Sequence, residues 1–268
     1  MQAETKKPLY GNWVSNKLIR KFVFLFFLFG ISNVVLWVFV LGWLALKIIL
    51  ALLAVLCLAC IAYFCRAKWL FSMEGGGIQN KVLDLLISYI DWDGHGRVLD
   101  IGCGSGALTI KIAKKYPEAN ITGIDYWGSE WDYNKKQCNE NARIESVDGR
   151  TEFQQASASK LPFADGTFDL VVSNLTFHEV KDSKSKLDVV KEALRVVKPG
   201  GRFVFQDLFL IKQYYGMPDE LTAAVGAMGA KDVFFVDTNK ASFIPRALKL
   251  PFMIGTLGLI HGVNAVKE

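Results

Sequence analysis

Nine consecutive residues read Val98-Leu99-Asp100-Ile101-Gly102-Cys103-Gly104-Ser105-Gly106. Their apolar start predicts a buried β-strand, and the three glycines at alternate positions predict a turn whose backbone approaches a ligand closely. Residues 107–113 have the apolar spacing of a helix, so free N–H groups at the helix start face this turn. In doubly wound sheets, such a loop after the first parallel strand is where ligands bind.

An acidic residue closes the next predicted strand. Residues 121–124 are strand-like, and Asp125 follows them. It stands about 20 residues past the glycine loop, the spacing at which an acidic side chain reaches a ribose in nucleotide-type sites. A carboxylate has enough lone pairs to accept hydrogen bonds from two hydroxyls.

The chain after Arg66 alternates predicted helices and strands. Further helices are predicted at 79–91, 131–144, 184–197 and 219–228, and further strands at 151–155, 168–173, 203–206, 233–237 and 259–266. Alternation of this kind is typical of an α/β domain in which helices cover a parallel sheet.

Four ordered segments resemble the class I S-adenosylmethionine-dependent methyltransferases. They are the Asp-x-Gly-x-Gly-x-Gly motif at 100–106, LPFADGTFDLVVS at 161–173, EALRVVKPGG at 192–201 and RFVF at 202–205. The resemblance covers residues 75–207. It implies a doubly wound, mostly parallel Rossmann-like sheet, closed by an antiparallel strand, and S-adenosylmethionine as the cofactor.

The resemblance also implies the cofactor-binding residues. Asp100 is expected to anchor the glycine loop and the amino end of the cofactor. The backbone of Gly102 and Gly104, with Cys103 between them, is expected to lie along the methionine and ribose. Asp125 is expected to bind the ribose hydroxyls, and Tyr126 to pack on the adenine.

Two further positions follow from the same resemblance. Ser157 and Ala158 stand where relatives often have Asp-Ala beside the adenine amino group, so a hydroxyl replaces the acid. The segment after the strand at 168–173 is expected to face the transferred methyl group. It contains Asn174, a candidate for holding the methionine end or the acceptor, and His178, a candidate general base or orienting group.

The apolar segment upstream is long enough for two membrane helices. Between residues 22 and 65 the only charged residue is Lys47, whereas one membrane helix needs about 20 apolar residues. Gly42, Trp43 and Lys47 mark a turn, which predicts a transmembrane hairpin with spans near 22–41 and 46–65. A signal peptide has a much shorter apolar core. A buried hairpin is disfavoured because residues 22–29 leave no polar face.

Basic residues flank both outer ends of this hairpin. They are Lys6, Lys7, Lys17, Arg20 and Lys21 in the tail of residues 1–21, and Arg66 and Lys68 after the second span. By the positive-inside rule, both termini and the catalytic domain at 66–268 are expected on the cytoplasmic side of the cell membrane.

The charge distribution and the cysteines restrict the classes of partner and the compartment that the sequence predicts. The net charge of +5 belongs to the first 65 residues, because 25 basic and 25 acidic residues balance from Arg66 onward. Nucleic-acid-binding proteins carry a global basic excess, so no nucleic-acid partner is predicted. Five cysteines without a disulfide framework suit a reducing compartment. The pair Cys57 and Cys60 lies in an apolar span without a second ligand pair, so no metal site is predicted.

These observations predict a membrane-anchored methyltransferase acting on a lipid-soluble or membrane-borne small molecule. A methyltransferase of a membrane protein and a non-catalytic S-adenosylmethionine-binding adaptor remain as alternatives. Two apolar stretches, at 208–211 and 243–254, suit either contact with lipid or ordinary packing. The oligomeric state has no signature in the sequence.

Overall fold

The computed structural model describes residues 6–128, 133–250 and 254–265. Residues 12–79 form one compact unit, and the chain up to Gly11 together with the chain from Asn80 onward forms the other. The helices are α1 (Asn16–Phe39), α2 (Leu44–Phe71), α3 (Ile78–Ser88), α4 (Ala107–Lys115), α5 (Lys135–Ile144), α6 (Lys186–Arg195), α7 (Lys212–Tyr215), α8 (Pro218–Ala227) and α9 (Arg246–Lys249). The strands are β1 (Gly96–Ile101), β2 (Ala119–Asp125), β3 (Thr151–Gln155), β4 (Phe168–Asn174), β5 (Val197–Asp207), β6 (Ala230–Val236) and β7 (Gly258–Asn264).

Within the described residues, the strands form one seven-stranded sheet in the order β3-β2-β1-β4-β5-β7-β6. The first five strands run parallel, and β7 lies antiparallel between β5 and β6. This confirms the predicted α/β fold with a mostly parallel Rossmann-like sheet. The closing strand predicted at 259–266 is observed at Gly258–Asn264; Val266 lies outside the described residues.

The register divides the sheet side chains between two faces. Leu99, Val171 and Phe205 belong to a fully buried apolar cluster on one face, which also contains residues of α6 and α8. Asp100 points to the opposite face, where Thr109 of α4 contacts it. We call this second side the α4 face. Both faces of the central strands are therefore covered, as expected for parallel strands rich in Val, Ile and Phe.

Several helix boundaries differ from the sequence-based expectation, and two of the differences have a local reason. Helix α5 begins at Lys135 because the Asn134 side chain caps it, accepting a hydrogen bond from Gln137 N at 2.9 Å. Residues 129–132 lie outside the described part, including the predicted start at 131. Helix α6 ends at Arg195, and Val197 already pairs with Phe168 as the first residue of β5.

The unit of residues 12–79 contains an antiparallel helical hairpin. The Phe22 ring stacks on Phe64, with centroids 5.4 Å apart, and the Asn33 side chain donates a hydrogen bond to the Lys47 carbonyl oxygen. The chain reverses at residues 40–43, where Trp43 has a left-handed φ of 52°. Lys47 is buried and donates from Nζ to the Val40 carbonyl oxygen at 2.8 Å, so it caps the end of α1.

The hairpin carries an unusually apolar surface. Most of its large apolar side chains are exposed, including Phe24 at 65%, Trp37 at 59% and Leu52 at 63%. Both helices are long and apolar enough to cross a bilayer. They extend beyond the predicted spans at their outer ends, to Asn16 and to Phe71.

Several apolar side chains of the two downstream stretches are packed inside the domain, whereas Leu250 is 88% exposed. Leu208 and Phe209 are buried, as are Ile244, Leu248 and Ile254. Packing within the domain therefore accounts for these side chains. Residues 251–253 of the second stretch lie outside the described residues.

Candidate functional site

The glycine loop lies between β1 and α4, at the carboxyl edge of the sheet. Gly102 N and Cys103 N both donate to the Ile124 carbonyl oxygen, at 2.8 and 2.9 Å, which fixes the loop to the end of β2. Gly102 has φ 74°, and a Cβ there would stand 2.0 Å from Thr176 Oγ1. Only glycine fits this position.

Asp100 lies at the base of this loop with its carboxyl group buried. Thr109 Oγ1 donates to its Oδ2 at 2.6 Å. Burial raises the pKa of Asp100 to about 7, although the hydrogen bonds from Thr109 lower it, and the nearby Asp125 adds a smaller increase. A cationic group placed beside Asp100 would stabilise its charged form, so the site fits the amino end of S-adenosylmethionine.

Asp125 ends β2 and faces the glycine loop. Gly104 N donates to its Oδ2 at 2.9 Å, and Trp127 N donates to its Oδ1 at 2.7 Å. Burial raises the pKa of Asp125, while these backbone hydrogen bonds lower it. Each carboxylate oxygen keeps a further lone pair, so both remain able to accept from a ribose diol. Tyr126 beside it is 68% exposed, which leaves its ring accessible to an adenine.

Cys103 contributes its backbone rather than its thiol. Its side chain is buried, and burial together with Cys138 raises the pKa of the thiol well above its usual value. The thiol is therefore protonated at neutral pH and is not a nucleophile. Among the described residues, no cluster of His, Cys, Asp or Glu has the arrangement of a metal site.

Ser157 and Ala158 follow β3 on the adenine side of the predicted site. The Ser157 hydroxyl donates to Asp182 Oδ2 at 2.8 Å, and Ser159 donates to the same oxygen at 2.6 Å. These two hydroxyls lower the pKa of Asp182, the Ser159 hydrogen bond most of all. A carboxylate, that of Asp182, therefore lies beside the hydroxyl at position 157.

His178 lies in a short turn after β4, against the end of β5. Its Nδ1 is 2.7 Å from Asp207 Oδ1, and its Nε2 is 3.5 Å from Glu179 Oε1. Asp207 is fully buried and also accepts from Phe177 N at 2.7 Å. Burial of the ring lowers the pKa of His178, but Asp207 and then Glu179 more than offset this and raise it to about 9. The imidazole is therefore protonated at neutral pH.

Asn174 ends β4 beside the glycine loop. The neighbouring Ser173 Oγ and Thr176 Oγ1 both donate to the Ile101 carbonyl oxygen, at 2.9 and 3.1 Å. These bonds join the end of β4 to the start of the loop. Asn174 Oδ1 is buried without a hydrogen-bond partner among the described residues, so it is available to a ligand.

Comparison with known proteins shows the family to which the chain belongs. The methyltransferase domain family matches residues 99–205. The ubiquinone/menaquinone biosynthesis C-methyltransferase UbiE of Desulfotalea psychrophila is 30% identical over 195 residues, covering 64% of this chain and 74% of UbiE. The chain belongs to the class I S-adenosylmethionine-dependent methyltransferase family. This confirms the predicted family and its cofactor.

Two other proteins show how far the likeness extends. The 27-O-demethylrifamycin SV methyltransferase of Amycolatopsis mediterranei is 31% identical over 137 residues, which are 51% of this chain and 47% of that enzyme. The chain thus spans about half the length of that relative. The crystal structure of the [4+2]-cyclase SpnF has a TM-score of 0.53 at 20% identity, covering 70% of this chain and 82% of SpnF. It shares the fold alone, so the reaction has to be argued from the site.

The sequence-based reasoning did not identify four contributors to the site of this methyltransferase, of which three are single residues. Asp182 and Asp207 reach Ser157 and His178 from loops or strand ends more than 20 residues away. Trp127 donates from Nε1 to the Gly104 carbonyl oxygen at 2.8 Å. The one available signal was the polar end of β5 at Asp207, after an apolar run.

The fourth contributor is the segment of residues 6–11, which we call the N-terminal strap. Asn141 of α5 is buried; its Oδ1 accepts from Leu9 N at 2.8 Å, and its Nδ2 donates to the carbonyl oxygens of Leu9 and Ser105, at 2.9 and 3.0 Å. Ser105 Oγ donates to the Tyr10 carbonyl oxygen at 2.7 Å. The Tyr10 hydroxyl donates to Glu145 at 2.9 Å. The strap is therefore bonded directly to the glycine loop.

Proposed function

We propose that this methyltransferase is anchored in a membrane and methylates a lipid-soluble small molecule. The observation that carries this proposal is the exposed apolar surface of α1 and α2. Burying such a surface in lipid is favourable by roughly 25 cal/mol per Å² of apolar area, whereas exposing it to water promotes aggregation.

The proposal assigns three segments. Residues 1–21 are the basic cytoplasmic tail, 22–65 the membrane hairpin and 66–268 the methyltransferase domain, with both termini on the cytoplasmic side of the cell membrane. The basic residues outside both ends of the hairpin support this orientation. Reporter fusions after Trp13 and after Glu268 test it, and a signal from the opposite side of the membrane at either fusion would overturn it.

A quinol-like lipid is the acceptor class that we favour. The name of the relative UbiE refers to ubiquinone and menaquinone biosynthesis, which supports a quinone-type acceptor for this chain. The balanced charge of the chain from Arg66 onward offers no electrostatic footprint for nucleic acid. A hairpin that holds the site near the bilayer would raise the effective concentration of such an acceptor.

We propose the following cofactor roles, which the geometry of the loop supports. Asp100 holds the amino end, the backbone of Gly102, Cys103 and Gly104 lines the methionine and ribose, and Asp125 accepts from the ribose hydroxyls. Tyr126 packs on the adenine. Asp182, positioned by Ser157 beside Ala158, accepts from the adenine amino group.

Methyl transfer requires alignment of the two reactants more than covalent catalysis by the protein. When bound, S-adenosylmethionine supplies an electrophilic methyl group, and the protein aligns the acceptor with it and excludes water. We assign Asn174 to holding the acceptor. His178 has a pKa of about 9, so at neutral pH it donates a hydrogen bond rather than removing a proton. A general-base role would require a rate that rises as the pH passes 9.

Labelled methyl transfer in membranes tests the function. Membranes containing the full chain are incubated with methyl-labelled S-adenosylmethionine, then separated into lipid extract and protein. We expect label in the lipid extract, loss of label with Asp125→Ala, and no loss with Asp148→Ala, which alters an exposed carboxyl group. Label only in protein would indicate a protein methyltransferase. Cofactor binding without any transfer would indicate an adaptor.

A further inference from the structure

Buried polar atoms without partners are concentrated at one edge of the sheet. Among the described residues, such side-chain atoms occur in Asn174, Gln206, Tyr215, Thr238 and Asn239. All five lie at or just beyond the ends of β4, β5 and β6, where the cofactor loop also lies. Most buried polar groups in proteins have a partner, so this clustering calls for an explanation. Tyr215 lies close enough to Asp207 for that carboxylate to raise its pKa, so the argument rests on the other groups.

Gln206 is the strongest member of this group. Its side chain is fully buried, and neither Nε2 nor Oε1 has a hydrogen-bond partner in the described part of the chain. In the parallel pairing of β4 with β5, Gln206 is the register partner of Asn174, and Leu175 N donates to the Gln206 carbonyl oxygen at 2.8 Å. Register partners project to the same face of a sheet from strands about 4.8 Å apart. The two side-chain amides are therefore neighbours.

The pair also lies on the side of the sheet that carries Asp100. Asp100 is the register partner of Val172, two residues before Asn174, so Asn174 and Gln206 project to the α4 face as Asp100 does. β1 and β4 are adjacent, and Asp100 is our assigned contact for the amino end of the cofactor. The two amides thus stand one and two strands from that contact, where the acceptor has to meet the methyl group.

The unpartnered atoms define the chemistry of a ligand. Asn174 Oδ1 and Gln206 Oε1 are acceptors, and Gln206 Nε2 is a donor. A hydroxyl group matches two of them, because it accepts a hydrogen bond from Gln206 Nε2 and donates one to Asn174 Oδ1. The amides carry no charge to balance a buried phosphate or carboxylate. The atoms are enclosed by protein, so a ligand that reaches them leaves water, which suits an apolar molecule.

We propose that Gln206 and Asn174 bind a neutral hydroxyl group of the methyl acceptor. Gln206 Nε2 donates to the hydroxyl oxygen, and the hydroxyl donates to Asn174 Oδ1. The assignment rests on the proposed function and deepens it, because it names the two residues that recognise a hydroxyl group of the quinol-like acceptor. A site built this way rejects an analogue without the hydroxyl, because the amides then remain buried and unpaired.

Binding of two matched probes tests this assignment. The full chain in phosphatidylcholine nanodiscs, saturated with S-adenosylhomocysteine, is titrated under anaerobic conditions with 2-farnesyl-1,4-dihydroxynaphthalene and with its dimethyl ether. We expect the dihydroxy probe to bind at least tenfold more tightly than the ether. Gln206→Met keeps the length of the side chain without the amide, and should reduce this preference to less than threefold while leaving S-adenosylhomocysteine affinity within twofold.

Two further variants make the result specific. Gln213→Leu removes an exposed amide from α7 and should leave the preference unchanged. Asn174→Ala should also lose the preference, and the double variant Gln206→Met/Asn174→Ala should lose no more than either single variant, because both contact one hydroxyl. Gln206→Leu replaces Gln206→Met if the latter does not fold.

The outcomes separate this inference from the proposed function. If both probes bind the wild type equally, or if Gln206→Met and Gln206→Leu keep the preference, Gln206 does not bind the acceptor and the inference is wrong, while the lipid-soluble acceptor stands. If neither probe binds, the quinol-like acceptor is wrong and the inference falls with it.

Discussion

Replacing Asn141 tests whether the N-terminal strap is part of the cofactor site. Asn141→Ala removes three hydrogen bonds, two to the backbone of Leu9 and one to the Ser105 carbonyl oxygen. At about 1 kcal/mol each, the two bonds to Leu9 contribute roughly 2 kcal/mol to docking of the strap. That corresponds to an approximately 30-fold shift toward the undocked strap.

The bond to Ser105 links this change to the cofactor. Ser105 is buried within the glycine loop, and its carbonyl oxygen loses the Asn141 donor in the variant. Loss of about 1 kcal/mol of support for the bound loop conformation predicts an approximately fivefold weaker affinity for S-adenosylmethionine. Asn141→Ala therefore weakens cofactor binding although Asn141 is not among the residues assigned to touch the cofactor.

Two measurements check this expectation in the full chain. Hydrogen exchange of the peptide containing Leu9 should accelerate, because the Leu9 N–H loses its acceptor, and calorimetry should show the weaker cofactor affinity. Glu140→Gln is the matched control, since it removes only the exposed ion pair of the same strap with Lys6. Such pairs contribute about 0–1 kcal/mol. Equal exchange and equal affinity in Asn141→Ala and Glu140→Gln would refute the coupling of the strap to the loop.

Three other perturbations probe the site. Asp125→Ala should weaken S-adenosylmethionine binding by roughly 2–4 kcal/mol in calorimetric titration, because a charged acceptor of two hydrogen bonds is lost; unchanged affinity would remove Asp125 from the site. Gly102→Ala should destabilise the fold by at least about 1 kcal/mol, because φ is 74° and the new Cβ meets Thr176 Oγ1. Adding Thr176→Ala should recover part of the melting temperature, and no recovery would contradict the clash. The raised pKa of His178 contributes stability that is fully present below pH 6.5 and is lost as the pH rises through 9. Asp207→Asn should reduce this dependence of the unfolding free energy on pH. Denaturant melts between pH 6 and 10 measure it.

The elements that depend on a local sequence pattern could be predicted from the sequence. The strand, glycine loop and helix around Asp100 follow from apolar runs and glycines that are adjacent in the chain, and the structure has them as β1 and α4. The hairpin turn near Gly42 follows from a single interruption of a long apolar run. The carboxylate at position 125 faces the loop because parallel strands end at one edge of the sheet.

Contacts between residues that are distant in the chain and lie in no periodic pattern or motif could not be predicted from the sequence. Leu9 and Asn141 are 132 residues apart, and neither lies in a motif. Asp182 follows a polar loop that no spacing rule connects to Ser157. Asp207 is polar at the end of an apolar strand, which indicates a function but not that His178 is its partner. Such contacts depend on how the sheet brings loops together.

The N-terminal strap complicates any truncation that is meant to test the role of the hairpin. Residues 6–11 belong to the compact unit that contains the glycine loop, although α1 and α2 follow them in the chain. Removing residues 1–65 would therefore delete the strap together with the apolar helices, and a loss of turnover would not distinguish anchoring from weakened cofactor binding. The hydrogen bonds of Asn141 resolve this ambiguity, because a point change there alters the strap while the hairpin stays intact. A loss of turnover on a bilayer-embedded acceptor can be attributed to the hairpin itself where the cofactor affinity is unchanged.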